Sequence, residues 1–299
     1  MVADHAGKKY WRGDIMISFG IMQGRLTPPN GREIQFFPFD TWKEEFRIGQ
    51  KLGLDEIEWI FDYEGYKKNP LWFDEGIKEI KTIIYQTSIQ IKAVCFDYFM
   101  RRPFFKYDGK QQDFVRDENF RFLKHTMMAM KEIGASLLEI PLIDNSSVQK
   151  TEEETVIEFV KEVLKVASQV GIKIGLETDM EPGRFKEFLD KMESENLYAN
   201  YDSGNSSGLG YDHELEIYSL KSYIANVHIK DRKLHGTTVA LGTGDADFDK
   251  VFSSLSGINY DGSIILQAAR GEDGEEEANI RQQLDFVKKY CRIYGLAKL

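Results

Sequence analysis

Four carboxylates stand inside or against apolar runs of this chain: Glu58 in IEWIF, Glu139 in LLEIP, Glu177 in IGLET and Asp202 in ANYD. A buried carboxylate is costly unless it is paired or bound to a cation. Four of them therefore call for positive partners, which Arg25, Lys230, Arg270 or a metal ion could supply. His228 lies in a fifth such run, VHIKDR, beside Lys230 and Asp231. Glu177, Asp202 and His228 come from three successive runs of strand length, so their side chains can converge on one point. Two carboxylate oxygens and an imidazole nitrogen suit Mn²⁺, Zn²⁺, Co²⁺ or Mg²⁺ without choosing among them.

The elements that must position these groups alternate along the chain. Strand candidates are Ile17–Gln23, Glu56–Phe61, Ile91–Phe96, Leu137–Leu142, Ile172–Thr178, Tyr198–Asp202, Ala225–Ile229 and Ile264–Ala268. Helical periodicity fills the intervals, at Thr41–Leu52, Phe73–Thr87, Asp117–Ile133, Glu152–Val170, Arg184–Glu193, Asp212–Lys221, Phe248–Leu255 and Glu275–Tyr290. Serial strand–helix units imply a parallel sheet, because parallel strands need crossover connections. Glycines at 53, 134, 171 and 257 punctuate the ends of helices before strands, where a left-handed cap suits glycine. Eight units fit a closed barrel better than an open doubly wound sheet, and no G-x-G-x-x-G follows the first strand. The expected fold is one α/β domain, a single (β/α)8 TIM barrel over residues 16–299, preceded by a polar extension at 1–15.

Chemistry in such a barrel is built at the C-terminal ends of the strands. The residues there are Met22–Arg25, Glu58, Phe96–Tyr98, Glu139 with Asp144 and Asn145, Glu177–Asp179, Asp202 with Asn205, His228–Arg232 and Gln267–Arg270. Several have plain structural readings. Glu58 could pair with Arg25, Glu139 could serve a salt bridge, and Lys230 could neutralise a neighbouring carboxylate. His125 and His213 fall in helical patterns and are expected at the surface. The aromatic segment Phe96–Phe105 reads as a loop over the barrel mouth or as simple packing. Gly242-Thr-Gly244 reads as a turn before a helix, with an anion site at the helix start as the sharper alternative.

Composition narrows the partners. The 299 residues carry a formal net charge of −10 and 42% hydrophobic residues, so the chain is of an ordinary globular kind. The acidity argues against nucleic acid or an anionic membrane as partner, since both attract basic surfaces. Cys95 and Cys291 lie in apolar surroundings far apart in sequence, which suits two buried thiols and a reducing, cytoplasmic setting. No run is long enough to span a membrane, and the first fifteen residues lack the apolar core of a signal peptide.

With these residues in place, the chain resembles the xylose isomerase-like TIM-barrel superfamily, the sugar phosphate isomerase/epimerase group. The carrying segments are GIMQGRL, then VHIKDR, ALGTGDADFDKVFSSL, NYDG and the last strand. The resemblance implies a cytoplasmic enzyme with a divalent-metal site from strands five to eight, a small-molecule carbohydrate substrate and room for a homo-oligomer. It assigns the metal to Glu177, Asp202, His228 and Gln267. It makes Glu177 the catalytic base, with Arg25, Glu58, Glu139, Lys230 and Arg270 on the substrate. One position departs from the pattern: the family usually has a glutamate where Gln267 stands. An amide oxygen can still bind a metal, but it brings no charge and cannot act as a base.

The resemblance thus implies a metal-dependent isomerase, or epimerase, working through an enediolate of a sugar, sugar phosphate or related carbonyl compound. Epimerisation commonly needs a base on each face, whereas aldose–ketose isomerisation can use one. Gln267 therefore favours isomerisation over epimerisation. The alternative is a sugar-binding barrel that kept the pocket and lost the chemistry. An apurinic-site endonuclease shares the barrel. It would use several zinc-binding histidines and a basic groove, against one strand-end histidine and an acidic balance here.

Overall fold

Short apolar runs separated by turn residues become eight parallel strands in the computed structural model of the chain. The structure describes residues 2–3, 9–10, 17–29 and 34–296. The strands are β1 (Ser18–Met22), β2 (Glu56–Ile60), β3 (Ala93–Cys95), β4 (Leu137–Leu142), β5 (Lys173–Thr178), β6 (Leu197–Asp202), β7 (Ile224–Ile229) and β8 (Ser263–Leu266). Each pairs with its successor, and β8 pairs with β1 to close the barrel. Every residue of β1, β2, β3 and β4 is buried, as expected for parallel strands covered on both faces. Each strand leads to an outer helix: α1 (Trp42–Leu52), α2 (Asp74–Thr87), α3 (Gly109–Ile133), α4 (Glu153–Val170), α5 (Pro182–Asp190), α6 (His213–Leu220), α7 (Phe248–Gly257) and α8 (Glu276–Tyr294).

The sequence expectations and the observed elements differ mainly at edges. Helix α3 starts at Gly109 rather than Asp117, since Asp108 is still extended and the residues after Gly109 are good helix formers. Gly53 and Gly134 end α1 and α3 in the left-handed conformation, at φ 74° and 81°. Gly257 does not. Helix α7 runs through it, and the positive φ falls on Asn259. His213, expected at the surface, is buried, and its Nδ1 lies 2.8 Å from the Tyr201 hydroxyl. The reason is strand parity: Tyr201 faces outward between two inward residues of β6 and meets the first turn of α6. Of the polar extension expected at 1–15, Val2–Ala3 pairs antiparallel with Lys9–Tyr10. The rest of that extension lies outside the described residues.

Strand parity also decides what reaches the barrel interior, because successive side chains point to opposite faces. Cys95 and Asp97, Glu139 and Pro141, Glu177, Lys230 and Gln267 line one cavity of about 610 Å³ at the C-terminal end of the barrel. Beneath it lie Glu58, Asn200, Asn226 and His228, all buried. A register shift between Ala199 and Asn200 lets β6 follow β7 while both Asn200 and Asp202 face inward. The segment Phe96–Phe105 is folded rather than an open loop. Helix Tyr98–Arg101 and a short 3-10 turn bury Tyr98, Phe99, Phe104 and Phe105, leaving Met100 and Arg101 to line the mouth.

Candidate active site

His228 is the centre of the floor. Its Nε2 lies 3.1 Å from Glu58 Oε2 and 3.5 Å from Glu139 Oε2, and its Nδ1 lies 3.7 Å from Glu177 Oε2 and 4.0 Å from Asp202 Oδ2. Two asparagines complete the ring. Asn226 donates to Glu58 Oε2, and Asn200 donates to Glu177 Oε2 and approaches His228 Nδ1 at 3.1 Å. Neither asparagine was singled out in the sequence. The usable signal was spacing, since each stands two residues before Asp202 or His228 on an inward-facing position.

The carboxylates are not equivalent. Burial alone would raise Glu58, but His228 and Asn226 hold it down to about 2. Burial and the charges of Glu58 and Glu177 push Glu139 well above the ordinary carboxylate range. Burial opposes a charge on His228, yet Glu58, Glu177 and Asp202 raise it overall.

Nearer the cavity, Asp202 is fixed by its backbone. Its Oδ1 accepts from the amides of Gly204 and Asn205, capping the short helix Ser203–Leu209. Its Oδ2 is turned toward Lys230 Nζ, 2.7 Å away. A side chain at Gly204 would strike Lys230, whose Cγ lies 2.6 Å from the position a Cβ would occupy; the glycine lets this helix start hold Lys230 close. Lys230 also donates to Gln267 Oε1 at 2.9 Å. Asn205 donates to Glu177 Oε1.

Two trios bring ligand atoms within 4.8 Å of one another: Glu177, Asp202 and His228, and below them Glu58, Glu139 and His228. The upper trio suits a cation better. Glu58 takes the Nε2 side of the imidazole and orients it, the usual second-layer partner of a ligating histidine. The Nδ1 side then faces Glu177 and Asp202. The charge also fits: Glu58, Glu139, Glu177 and Asp202 are four buried carboxyls gathered around His228, with Lys230 and Arg25 as neighbouring cationic side chains, and Glu139 Oε2 and Glu58 Oε1 lack hydrogen-bond partners among the described residues. A divalent ion held by Glu177, Asp202 and His228 would relieve that imbalance. The Gln267 oxygen is engaged by Lys230 and faces the same group from β8.

The remaining sequence candidates divide. Glu139 and Lys230 line the cavity. Arg25 lines it too, donates to Ala268 O, and is drawn down to about 9 by burial and the nearby Arg270. Glu58 is not paired with Arg25 and does not reach the cavity; it lies behind His228. Arg270 also points elsewhere. Its guanidinium donates to the carbonyls of Gly24, Thr27 and Ile34 and stacks over Phe36, so it clamps the loop after β1. The Gly242–Gly244 turn directs its amides at a carboxylate of the chain itself. Gly242 and Gly244 donate to Asp231 Oδ2, and Ala246 donates to Oδ1. Asp231 follows the inward Lys230 and therefore faces outward.

The fold agrees with the known proteins that the chain resembles. A family model described as xylose isomerase-like TIM barrel matches residues 46–290. The chain is 23% identical over 275 residues to an L-ribulose-5-phosphate 3-epimerase of Escherichia coli, covering 87% of this chain and 93% of that one. Among solved structures, one titled L-ribulose 3-epimerase superposes with a TM-score of 0.74 at 15% identity, covering 93% of this chain and 96% of the other. D-psicose 3-epimerase of Clostridium cellulolyticum, solved with D-tagatose, superposes with a TM-score of 0.72 at 18% identity, over 92% and 99% of the two chains. No helix among the described residues is long and apolar enough to cross a membrane.

Proposed function

This chain belongs to the xylose isomerase-like TIM-barrel family, and on that premise we propose that it is an isomerase or epimerase of a small carbohydrate. The observation that carries the reading is the convergence of Glu177, Asp202 and His228 at the floor of a cavity of about 610 Å³. The reaction is proton transfer at a carbon next to a carbonyl, through an enediolate.

A divalent ion bound by Glu177, Asp202 and His228 would polarise the carbonyl and the neighbouring hydroxyl of the substrate. The chain's own groups do the rest. Glu177 takes the carbon-bound proton, and Asn200 and Asn205 aim its two oxygens. Glu58 and Asn226 hold His228 in one orientation. Lys230 and Arg25 place positive charge where an enediolate oxygen or a substrate phosphate would lie. Arg232 also lines the cavity, but its guanidinium is tied to Gly236 O and Asn205 Oδ1 and shapes the wall.

One observation favours the rival reading of a carbohydrate-binding barrel. The Lys230 ammonium bridges Asp202 and Gln267, so part of the cation-binding charge is met from within. Metal analysis with a ketose panel separates the two readings. The proposed enzyme takes up one divalent ion per chain, fails to do so as Glu177→Gln or His228→Ala, and interconverts at least one of L-ribulose, its 5-phosphate, D-psicose and D-tagatose. Saturable binding of these sugars with neither metal uptake nor turnover would replace it with the binding reading.

A further inference from the structure

Gln267 stands where the family pattern has a base, and its surroundings show where the missing charge went. Its Oε1 accepts from Lys230 Nζ at 2.9 Å, and its Nε2 donates to Gln35 Oε1 at 3.0 Å. Gln35 Nε2 then donates to Asp97 Oδ2 at 2.7 Å. The Cys95 thiol donates to the other oxygen, Asp97 Oδ1. Every donor along this chain points toward Asp97, which is its terminal acceptor. A glutamate at 267 could accept from Lys230 but would have no hydrogen to give Gln35. The glutamine is thus the one residue type of the two that completes the chain.

Asp97 follows β3 in the inward register of Ala93 and Cys95. It is 8% exposed and lines the same cavity as Glu177. Glu177 closes β5, two strands round the barrel, so a substrate on the floor meets the two carboxyls from different sides. We infer that Asp97 is the second acid–base group of this site, serving the substrate face that Glu177 does not, with Gln35 and Gln267 as its positioning residues. The inference rests on the proposed proton-transfer chemistry, and it supplies the second base that Gln267 cannot be.

The step balances without a redox partner. Glu177 carboxylate takes the proton, and the C–H electron pair becomes the C=C bond of the enediolate as the carbonyl pair moves to oxygen. When the pair returns, the carbon takes a proton from Asp97 carboxylic acid on the other face. Glu177 is left protonated and Asp97 ionised, and solvent or the reverse reaction resets them. This requires one acid and one base in the resting site. Burial, Asp62 and Glu177 raise Asp97 to about 6, against the hydrogen bonds from Gln35 and Cys95; Arg25 is the nearby cation that favours its charged form.

The test follows deuterium and configuration together. The Mn²⁺-loaded protein is incubated in D2O with L-ribulose 5-phosphate and, separately, with D-psicose. NMR then reads label in the recovered sugar and appearance of its epimer. Wild type is expected to do both. Asp97→Asn is expected to keep labelling the recovered sugar through Glu177 while epimer formation falls by about 100-fold or more. Gln35→Ala, which leaves Asp97 in place but unpositioned, should lower epimer formation less and shift the pH dependence near 6. Asp97→Asn that inverts at the wild-type rate, with its thermal midpoint unchanged, overturns the inference and leaves the proposed function standing. So does wild type that yields only the aldose, with Asp97→Asn equally active. Wild type that neither labels nor converts either sugar, nor L-ribulose and D-tagatose beside them, overturns the proposed function, and the role of Asp97 with it.

Discussion

Asp202 ends β6 and Asp231 lies just past the neighbouring β7; both are buried, both accept backbone amides, and they do opposite things. Asp231 faces outward from the end of β7 and is enclosed by three amides from residues 242–246. Glu45 is a similar case: it accepts from the amides of Gly24 and Leu26 and pins the loop after β1. Asp202 faces inward, uses one oxygen on amides and turns the other toward Lys230 and the cavity. Asp231 and Glu45 both hold loops through main-chain amides, with the Thr27 hydroxyl a further donor to Glu45. Asp202, whose second oxygen lies beside Lys230, keeps an atom facing the candidate site. For Asp202 and Asp231 the difference is which way the side chain is turned, inward at the end of β6 and outward just past β7.

The largest expected effect tests the inward set. Glu177→Gln should lower turnover by about 1000-fold, the range of a lost acid–base group, while the thermal midpoint stays within a few degrees. Turnover near wild type would remove Glu177 from the chemistry. The outward set should respond in the reverse sense. Asp231→Ala strands three amide donors and should destabilise the fold by about 3 kcal/mol, seen as a lower midpoint in urea unfolding. Any activity that remains should show an unchanged KM. A shifted KM with unchanged stability would mean that the two sides of β7 are not separate.

A smaller effect sharpens the comparison at β8. Gln267→Glu adds a carboxylate facing Asp202 and should tighten divalent-metal binding about tenfold, the scale of a change next to a metal ligand. It should also break the bond to Gln35. Unchanged affinity by calorimetry would show that residue 267 lies too far from the ion to matter.

The smallest effect is a slope with pH. Burial raises Glu45 from its ordinary value to about 7 despite its amide partners. The folded state therefore holds this proton more tightly than the unfolded chain. The associated stability is fully present below about 4.5 and is lost as pH rises through 7. The wild-type midpoint should fall across that window more than that of Glu45→Gln, and parallel curves would show that this helix carboxylate carries no such linkage.

Much of this molecule was legible in the chain. Alternating apolar runs and helical periods gave eight strands in order, because parallel strands buried on both faces need continuous apolar residues and a helix between each pair. Carboxylates within those runs singled out the candidate site, since only a compensating charge makes such positions tolerable. What the sequence could not supply was the partner of each group. Arg25 and Glu58 looked like a pair, yet Arg25 bonds Ala268 O and Glu58 turns to His228. Arg270 looked like a substrate ligand and clamps a loop instead. Asn200, Asn226 and Gln35 carried no signal beyond parity or none at all. Secondary structure follows from local periodicity, which one chain segment contains in full. A hydrogen bond between Gln35 and Gln267 joins residues far apart in sequence, and closure of the barrel alone brings them together.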